Sequence, residues 1–213
     1  MKCFWCCCAV VICLAGNVAL AEKIAIIGDS IAAGDTIQNP ETESIQAHLK
    51  KGLKGKHDIQ QFGVGGATAR LQGAKPYIQQ PEFTKARDFD PKMVIIILGT
   101  NDSTEAGWDS LAFRRDYGQM IRDIQKWPSK PRIVLCTPPS VEKEAWGIRA
   151  KTVEEGVAWE VNIAATMYML PKADLHKATK GTDGLTSDGV HPNPKGTKVI
   201  AEEIQKTLAP KKK

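Results

Sequence analysis

Past its first 21 residues the chain contains a single cysteine, Cys136; the other five of its six cysteines fall in the leader. No intramolecular disulfide can form in the remainder, which has to be held together by its core. Cys136 sits in the apolar run RIVLCT and reads as a small buried hydrophobe. Nothing around it in the sequence would stabilise a thiolate, which argues against a cysteine nucleophile. Charge of one sign is also missing. The net charge is only +5, the lysines are scattered apart from the tail at 211–213, and aromatic residues make up 6% of the chain. No basic stripe is interleaved with aromatics, so the sequence argues against a nucleic-acid partner. Internal repeats, low-complexity linkers and a G-K-[ST] phosphate loop are absent as well.

The first 21 residues differ from the rest. Lys2 precedes an apolar run from Cys3 to Gly16, and NVALA follows, with Ala19 and Ala21 at the small-residue positions of an A-x-A cleavage site. Residues 1–21 therefore read as a signal peptide cut between Ala21 and Glu22, leaving one domain over 22–213. The run is short for a membrane span. The expected destination is periplasmic or extracellular, with no stable membrane insertion after cleavage. An uncleaved anchor is the alternative reading.

In the remainder, short β-branched runs alternate with helical periodicity. Strands are expected at 23–27 (KIAII), 57–62 (HDIQQF), 92–98 (KMVIIIL), 132–137 (RIVLCT) and 173–176 (ADLH). Helices are expected at 41–53, with Ile45, Leu49 and Leu53 inward, and at 109–126, with Leu111, Tyr117, Ile121 and Ile124 inward. Two more are expected at 151–170 and after Pro194, the last with Val199, Ile200, Ile204 and Leu208 on one side. This alternation predicts an α/β fold, a flavodoxin-like three-layer α/β/α sandwich with a five-stranded parallel sheet in the order 2-1-3-4-5. In that order ligands bind beyond the carboxyl ends of the first and third strands.

Four segments fall at that rim: GDSI (28–31), FGVGGAT (62–68), LGTND (98–102) and SDGVHPN (187–193). Ser30 follows the first strand and is a candidate nucleophile, which needs an adjacent base. Of the four histidines, His191 is the best placed. His48 and His57 flank predicted elements and His176 ends a weak strand. Asp188, three residues before His191, can fold back onto the ring in a tight loop and hold its tautomer. The glycines of GVGGAT offer close backbone N–H groups, and Asn101 offers an amide, as donors for an oxyanion. Each segment also has a plain structural reading, since turns use Gly, Asp, Asn and Pro for their own reasons. The G-x-G-G-x-T spacing lacks the third glycine of a dinucleotide fingerprint.

Together the four segments resemble the sequence blocks of the SGNH (GDSL-type) hydrolases, over essentially all of the chain from Lys23 to the last helix. The resemblance implies a flavodoxin-like fold and ester hydrolysis without a metal or other cofactor. It assigns Ser30 as nucleophile, His191 as general base and Asp188 as its partner. It implies an oxyanion hole formed by the N–H of Ser30, the N–H of Gly66 and the amide of Asn101. Ile31 replaces the usual leucine, and Gln61 and Gly65 stand where N-x-G-x-S-G has asparagine and serine, so Gly65 competes with Gly66 for the oxyanion role. KPYIQQPEF (75–83) and AWGIR (145–149) are also similar to bacterial sialate O-acetylesterases and other carbohydrate acetylesterases. Trp108 and Trp146 follow the third and fourth strands, where their rings could stack on a sugar, wall a small acyl pocket or simply pack loops. Arg149 could pair with a substrate carboxylate or form a surface salt bridge. The expected activity is hydrolysis of short acyl esters, most simply acetyl, on a small-molecule or polysaccharide substrate. A lipid esterase or thioesterase, a non-catalytic carbohydrate binder and a phosphate binder at the glycine turn are the competing readings.

Overall fold

The computed structural model describes residues 21–104 and 108–209. The signal-peptide reading therefore lies outside the described residues except at Ala21. A five-stranded parallel sheet runs through the domain in the order β2-β1-β3-β4-β5. Its strands are β1 (Glu22–Gly28), β2 (His57–Gly63), β3 (Met93–Ile97), β4 (Arg132–Cys136) and β5 (Lys172–Ala173). The helices are α1 (Ser30–Ala33), α2 (Pro40–Glu43), α3 (Ile45–Gly52), α4 (Pro81–Asp88), α5 (Ser110–Gln125), α6 (Trp159–Met167), α7 (Leu175–Thr179) and α8 (Pro194–Leu208). The expected topology and strand order are those observed.

The central strands are apolar on both faces because both faces are covered. In β1, Ile24 and Ile26 join Ile95, Ile97 and Val134 beneath α3 and α8, where Leu49, Ile200 and Ile204 close the layer. The alternate residues Ala25 and Ile27 join Val94 and Ile96 on the other face, against Phe113, Tyr117 and Ile121 of α5 and Val161 of α6. The period of two along each strand thus splits one continuous apolar run between two cores.

The register brings the strand ends into one row. Gly28 pairs with Gly63 on one side and with Ile97 on the other, Ile97 pairs with Cys136, and Cys136 with Ala173. At Gly28, φ is +148°, and an added Cβ would lie 1.7 Å from the carbonyl oxygen of Ile97. Only glycine lets β1 end this close to β3.

Four elements differ from the sequence reading. Leu111 is 69% exposed, because the inner face of α5 is set by Phe113, Tyr117, Met120, Ile121 and Ile124 instead. The segment ADLH is not a strand beyond Ala173. Asp174 accepts a hydrogen bond from the Lys177 N–H and caps α7, which places His176 on a helix. The 151–170 helix begins with a π-wound turn at Thr152–Ala158 and becomes α-helical at Trp159. The polar segment 81–88, with only Ala86 buried, forms α4, started by Pro81 at its first turn. Val199 and Leu208 flank the buried stripe of α8 and are half-buried. Among the described residues no helix is long and apolar enough to cross a membrane.

Ile95 is fully buried at the centre of the sheet. Ile95→Ala is expected to cost about 2–5 kcal/mol by cavity formation, read as a lower urea midpoint at unchanged slope.

Candidate active site

At the end of β1 the Asp29 N–H donates to the Ile97 carbonyl at 3.2 Å, and Asp29 Oδ1 accepts from the Ile31 N–H at 3.0 Å. These bonds fix the first turn of α1, whose first residue is Ser30. Ser30 is 9% exposed, and its Oγ lies 2.9 Å from His191 Nε2. On the other side of the ring, His191 Nδ1 lies 2.7 Å from Asp188 Oδ2. An ionised carboxylate only accepts, so Nδ1 carries the proton and Nε2 is left to receive the serine hydroxyl.

Asp188 is held from four directions. Its Oδ1 accepts from the backbone N–H groups of Val190 (3.0 Å) and His191 (2.8 Å). Its Oδ2 accepts from the His191 ring and from the Trp146 indole N–H (3.1 Å). Burial by itself would raise the Asp188 pKa, but these hydrogen bonds outweigh it and hold the carboxyl well below the usual carboxylate range.

The loop carrying this pair is clamped to the loop after β4. Glu142 accepts from the Leu185 N–H and the Thr186 hydroxyl, both at 2.7 Å. The Gly189 carbonyl accepts from the N–H groups of Glu142 (2.8 Å) and Lys143 (3.2 Å). Gly189 has φ +98°, and an added Cβ would meet the Lys143 carbonyl oxygen at 2.4 Å, so the two loops close only with glycine there. Asn193 Oδ1 then caps α8 through the N–H groups of Lys195 and Gly196. Glu142 was missed in the sequence because it forms no local pattern with the residues it holds.

Across from this loop, Val64–Ala67 forms a turn closed by Ala67 N–H to Val64 O at 3.0 Å, with Gly66 at φ +75° in the position that type II turns reserve for glycine. Among the described residues the Gly66 N–H makes no hydrogen bond. Asn101, in a 3₁₀ turn at Thr100–Thr104, donates one amide hydrogen to the Ala67 carbonyl at 2.9 Å, which leaves its second N–H uncommitted. Asp102 does more than shape a local turn. Its carboxylate accepts from the N–H groups of Ala69 and Arg70, both at 2.9 Å, and Asp116 of α5 accepts from Leu71 N–H at 2.9 Å. Gln61 donates to the Ala33 carbonyl at 2.6 Å and ties β2 to the end of α1.

The two tryptophans differ. Trp108 packs on Phe113 with centroids 5.3 Å apart and lines an open cleft of about 450 Å³ with Glu144, Arg149, Lys151 and Glu155. Arg149 Nε donates to the Ser103 carbonyl at 2.7 Å, so this side chain ties its loop to the segment after Asn101. Trp146 instead touches Asp188. His57 lies 3.8 Å from Glu22, and His176 lies 3.9 Å from Glu154. Among the described residues no group of three or more His, Cys, Asp or Glu side chains is arranged to hold a metal ion.

Residues 26–199 match the GDSL-like Lipase/Acylhydrolase family. The chain belongs to this family. It is 32% identical over 203 residues to an acetylxylan esterase of Xylanibacter ruminicola, covering 86% of this chain and 42% of that protein, so it spans less than half of that relative's length. Among solved structures it is similar to the acetyl xylan esterase AlAXEase, with TM-score 0.70, 20% identity, and coverage of 88% of this chain and 100% of that one. It is also similar to a two-domain esterase (CEX) active on acetylated mannans, with TM-score 0.64, 22% identity, and coverage of 88% of this chain and 48% of that one. These structural likenesses show the fold alone.

Asp29 of this GDSL-like chain is fully buried, and among the described residues its Oδ2 makes no well-formed hydrogen bond, with Thr100 close by. Burial pushes its pKa from the ordinary 3.8 up to about 6, against the opposing pull of the Ile31 N–H, of His191 and of Thr100. The folded chain thus binds this proton more tightly than the unfolded chain. The stability it lends is complete below the ordinary value and is lost as pH rises through about 6. Asp29→Asn keeps an acceptor for Ile31 and cannot ionise. The melting temperature of the variant minus that of the parent is therefore expected to increase by several degrees between acid and neutral pH, read by calorimetry.

Proposed function

We propose that the domain is a serine esterase that removes short acyl groups, chiefly acetyl, from carbohydrates. The observation that carries this is the hydrogen-bonded chain Ser30 Oγ–His191 Nε2 and His191 Nδ1–Asp188 Oδ2, in a protein similar to an acetylxylan esterase. The cleft lined by Trp108, Glu144, Arg149, Lys151 and Glu155, tied through Arg149 to the segment after Asn101, has a charged and aromatic lining that suits a polar polymer better than an alkyl chain. Export belongs to the same reading, supported by the apolar leader and its Ala19–Ala21 site.

In the proposed mechanism the Ser30 hydroxyl gives its proton to His191 Nε2 as its oxygen attacks the ester carbonyl. Asp188, ionised and held by backbone N–H groups, stabilises the imidazolium and keeps the ring oriented. The oxyanion of the tetrahedral intermediate is met by the Ser30 N–H, the Gly66 N–H and the second N–H of Asn101, each worth about 3 kcal/mol of transition-state stabilisation. Collapse expels the sugar alkoxide, which takes the proton from His191. Water, deprotonated by the same imidazole, then cleaves the acyl-serine ester. Acetate leaves and the serine hydroxyl is restored.

Purified wild-type protein is expected to release acetate from acetylated xylan or mannan oligosaccharides and to hydrolyse acetyl esters faster than octanoyl esters. Ser30→Ala is expected to lower turnover of p-nitrophenyl acetate by about 10⁴-fold or more, with an unchanged circular dichroism spectrum and no labelling by a fluorophosphonate. Turnover that survived this substitution would refute the assignment.

A further inference from the structure

The residue that stands out beside the proposed triad is Trp146. It has φ +59° and Gly147 has φ +76°. The Ile148 N–H donates to the Ala145 carbonyl at 2.9 Å. Residues 145–148 therefore form a type I′ turn, whose two central positions are left-handed and are normally filled by Asn, Asp or Gly. A bulky side chain at the first of them costs roughly 1–2 kcal/mol. Such strain persists only where the surroundings enforce it, and it concentrates at functional sites.

Here the surroundings do enforce it. Ala145 and Ile148 pack with Val141, Val153 and Val190 in a small separate core, so the turn is seated on the loop that carries His191. The left-handed backbone then sends the indole N–H to Asp188 Oδ2, the same oxygen that receives His191 Nδ1. Yet Trp146 remains 70% exposed. One edge of the ring is fixed to the Asp–His pair while most of the side chain is open to water. A tryptophan that served only to pack a loop would bury more of its ring.

We propose that Trp146 is a positioning residue for the Asp188–His191 pair, and that its exposed ring face is the platform on which the acyl-bearing sugar stacks. This deepens the esterase reading and rests on it. The indole N–H adds a charge-assisted donor to a carboxylate oxygen that otherwise serves only the histidine. The indole and the imidazole share Asp188 Oδ2, and in the proposal a pyranose whose ester reaches Ser30 Oγ extends over the exposed indole, where its C–H groups can pack against the π-system. A single side chain thereby sets both the base and the sugar specificity, and the strained turn is what orients it.

Two substitutions separate the halves of the proposal. Trp146→Phe keeps an aromatic face and loses the donor. Trp146→Gly loses both but suits a left-handed position, so this variant is expected to melt no lower than the parent. Kinetics are compared on p-nitrophenyl acetate and on an acetylated xylo-oligosaccharide. With Phe, kcat is expected to fall roughly tenfold on both esters, with KM for the oligosaccharide unchanged. With Gly, kcat falls similarly, and KM for the oligosaccharide alone rises about tenfold. Wild-type kcat in the Phe variant, or an unchanged oligosaccharide KM in the Gly variant, overturns the proposal. Ser30→Ala, assayed in parallel, reports on the esterase reading itself, so the two failures cannot be confused.

Discussion

The parallel pairing of β1 with both neighbours governs everything at the rim of this sheet. Gly28 stands in one row with Gly63 and Ile97, and the ladder runs one residue further on each side. The Asp29 N–H reaches Ile97 O, and the Val64 N–H reaches Gly28 O at 2.9 Å. Three loops therefore depart from fixed points, and a one-residue slip would turn every inward side chain outward. Ser30, the Val64–Ala67 turn and Asn101 owe their adjacency to this register before any of their own contacts are made.

The loops beyond that row are stiffened by carboxylates that accept backbone N–H bonds. Asp102 holds Ala69 and Arg70, Asp116 holds Leu71, Glu142 holds Leu185, and Asp188 holds Val190 and His191. Charge-assisted bonds of this kind are among the stronger ones available to a protein. Exposed pairs such as Lys85–Glu82 and Lys206–Glu203 contribute little by comparison. In a domain with one buried thiol and no cross-link, these anionic struts do the work of fastening irregular chain that disulfides do elsewhere.

Much of the architecture could be read directly from the residues. KIAII and KMVIIIL announce strands covered on both faces, and the alternation with helices yields the observed strand order. Ser30, Asp188 and His191 could be singled out because a serine just past a buried strand and an Asp-x-x-His loop are patterns within a few residues, and the fold brings them into one hydrogen-bonded chain. Features that depend on contact between separate loops left no such trace. Glu142 is one acid in a polar stretch, and its partners lie more than forty residues along the chain. Asp102 read as a turn former, although its carboxylate holds residues 32 and 33 positions away. Leu111 misled because hydrophobicity alone does not say where the buried stripe of a helix begins. ADLH misled because Asp174 serves as a helix cap rather than as the continuation of a strand.

The first and last long elements of the domain lean on each other. Thr197 of α8 donates to the Glu43 carbonyl at the end of α2 at 2.6 Å, Gln205 of α8 donates to the His48 carbonyl of α3 at 3.2 Å, and α3 and α8 cover the same apolar layer. A chain emerging from the ribosome therefore has no finished N-terminal half. Ile45 and Leu49 wait for Ile200 and Ile204, and β1 waits for β3. Long-range pairings of this sort delay closure until nearly the whole polypeptide has been made. Such a nascent chain stays pliant for most of its synthesis.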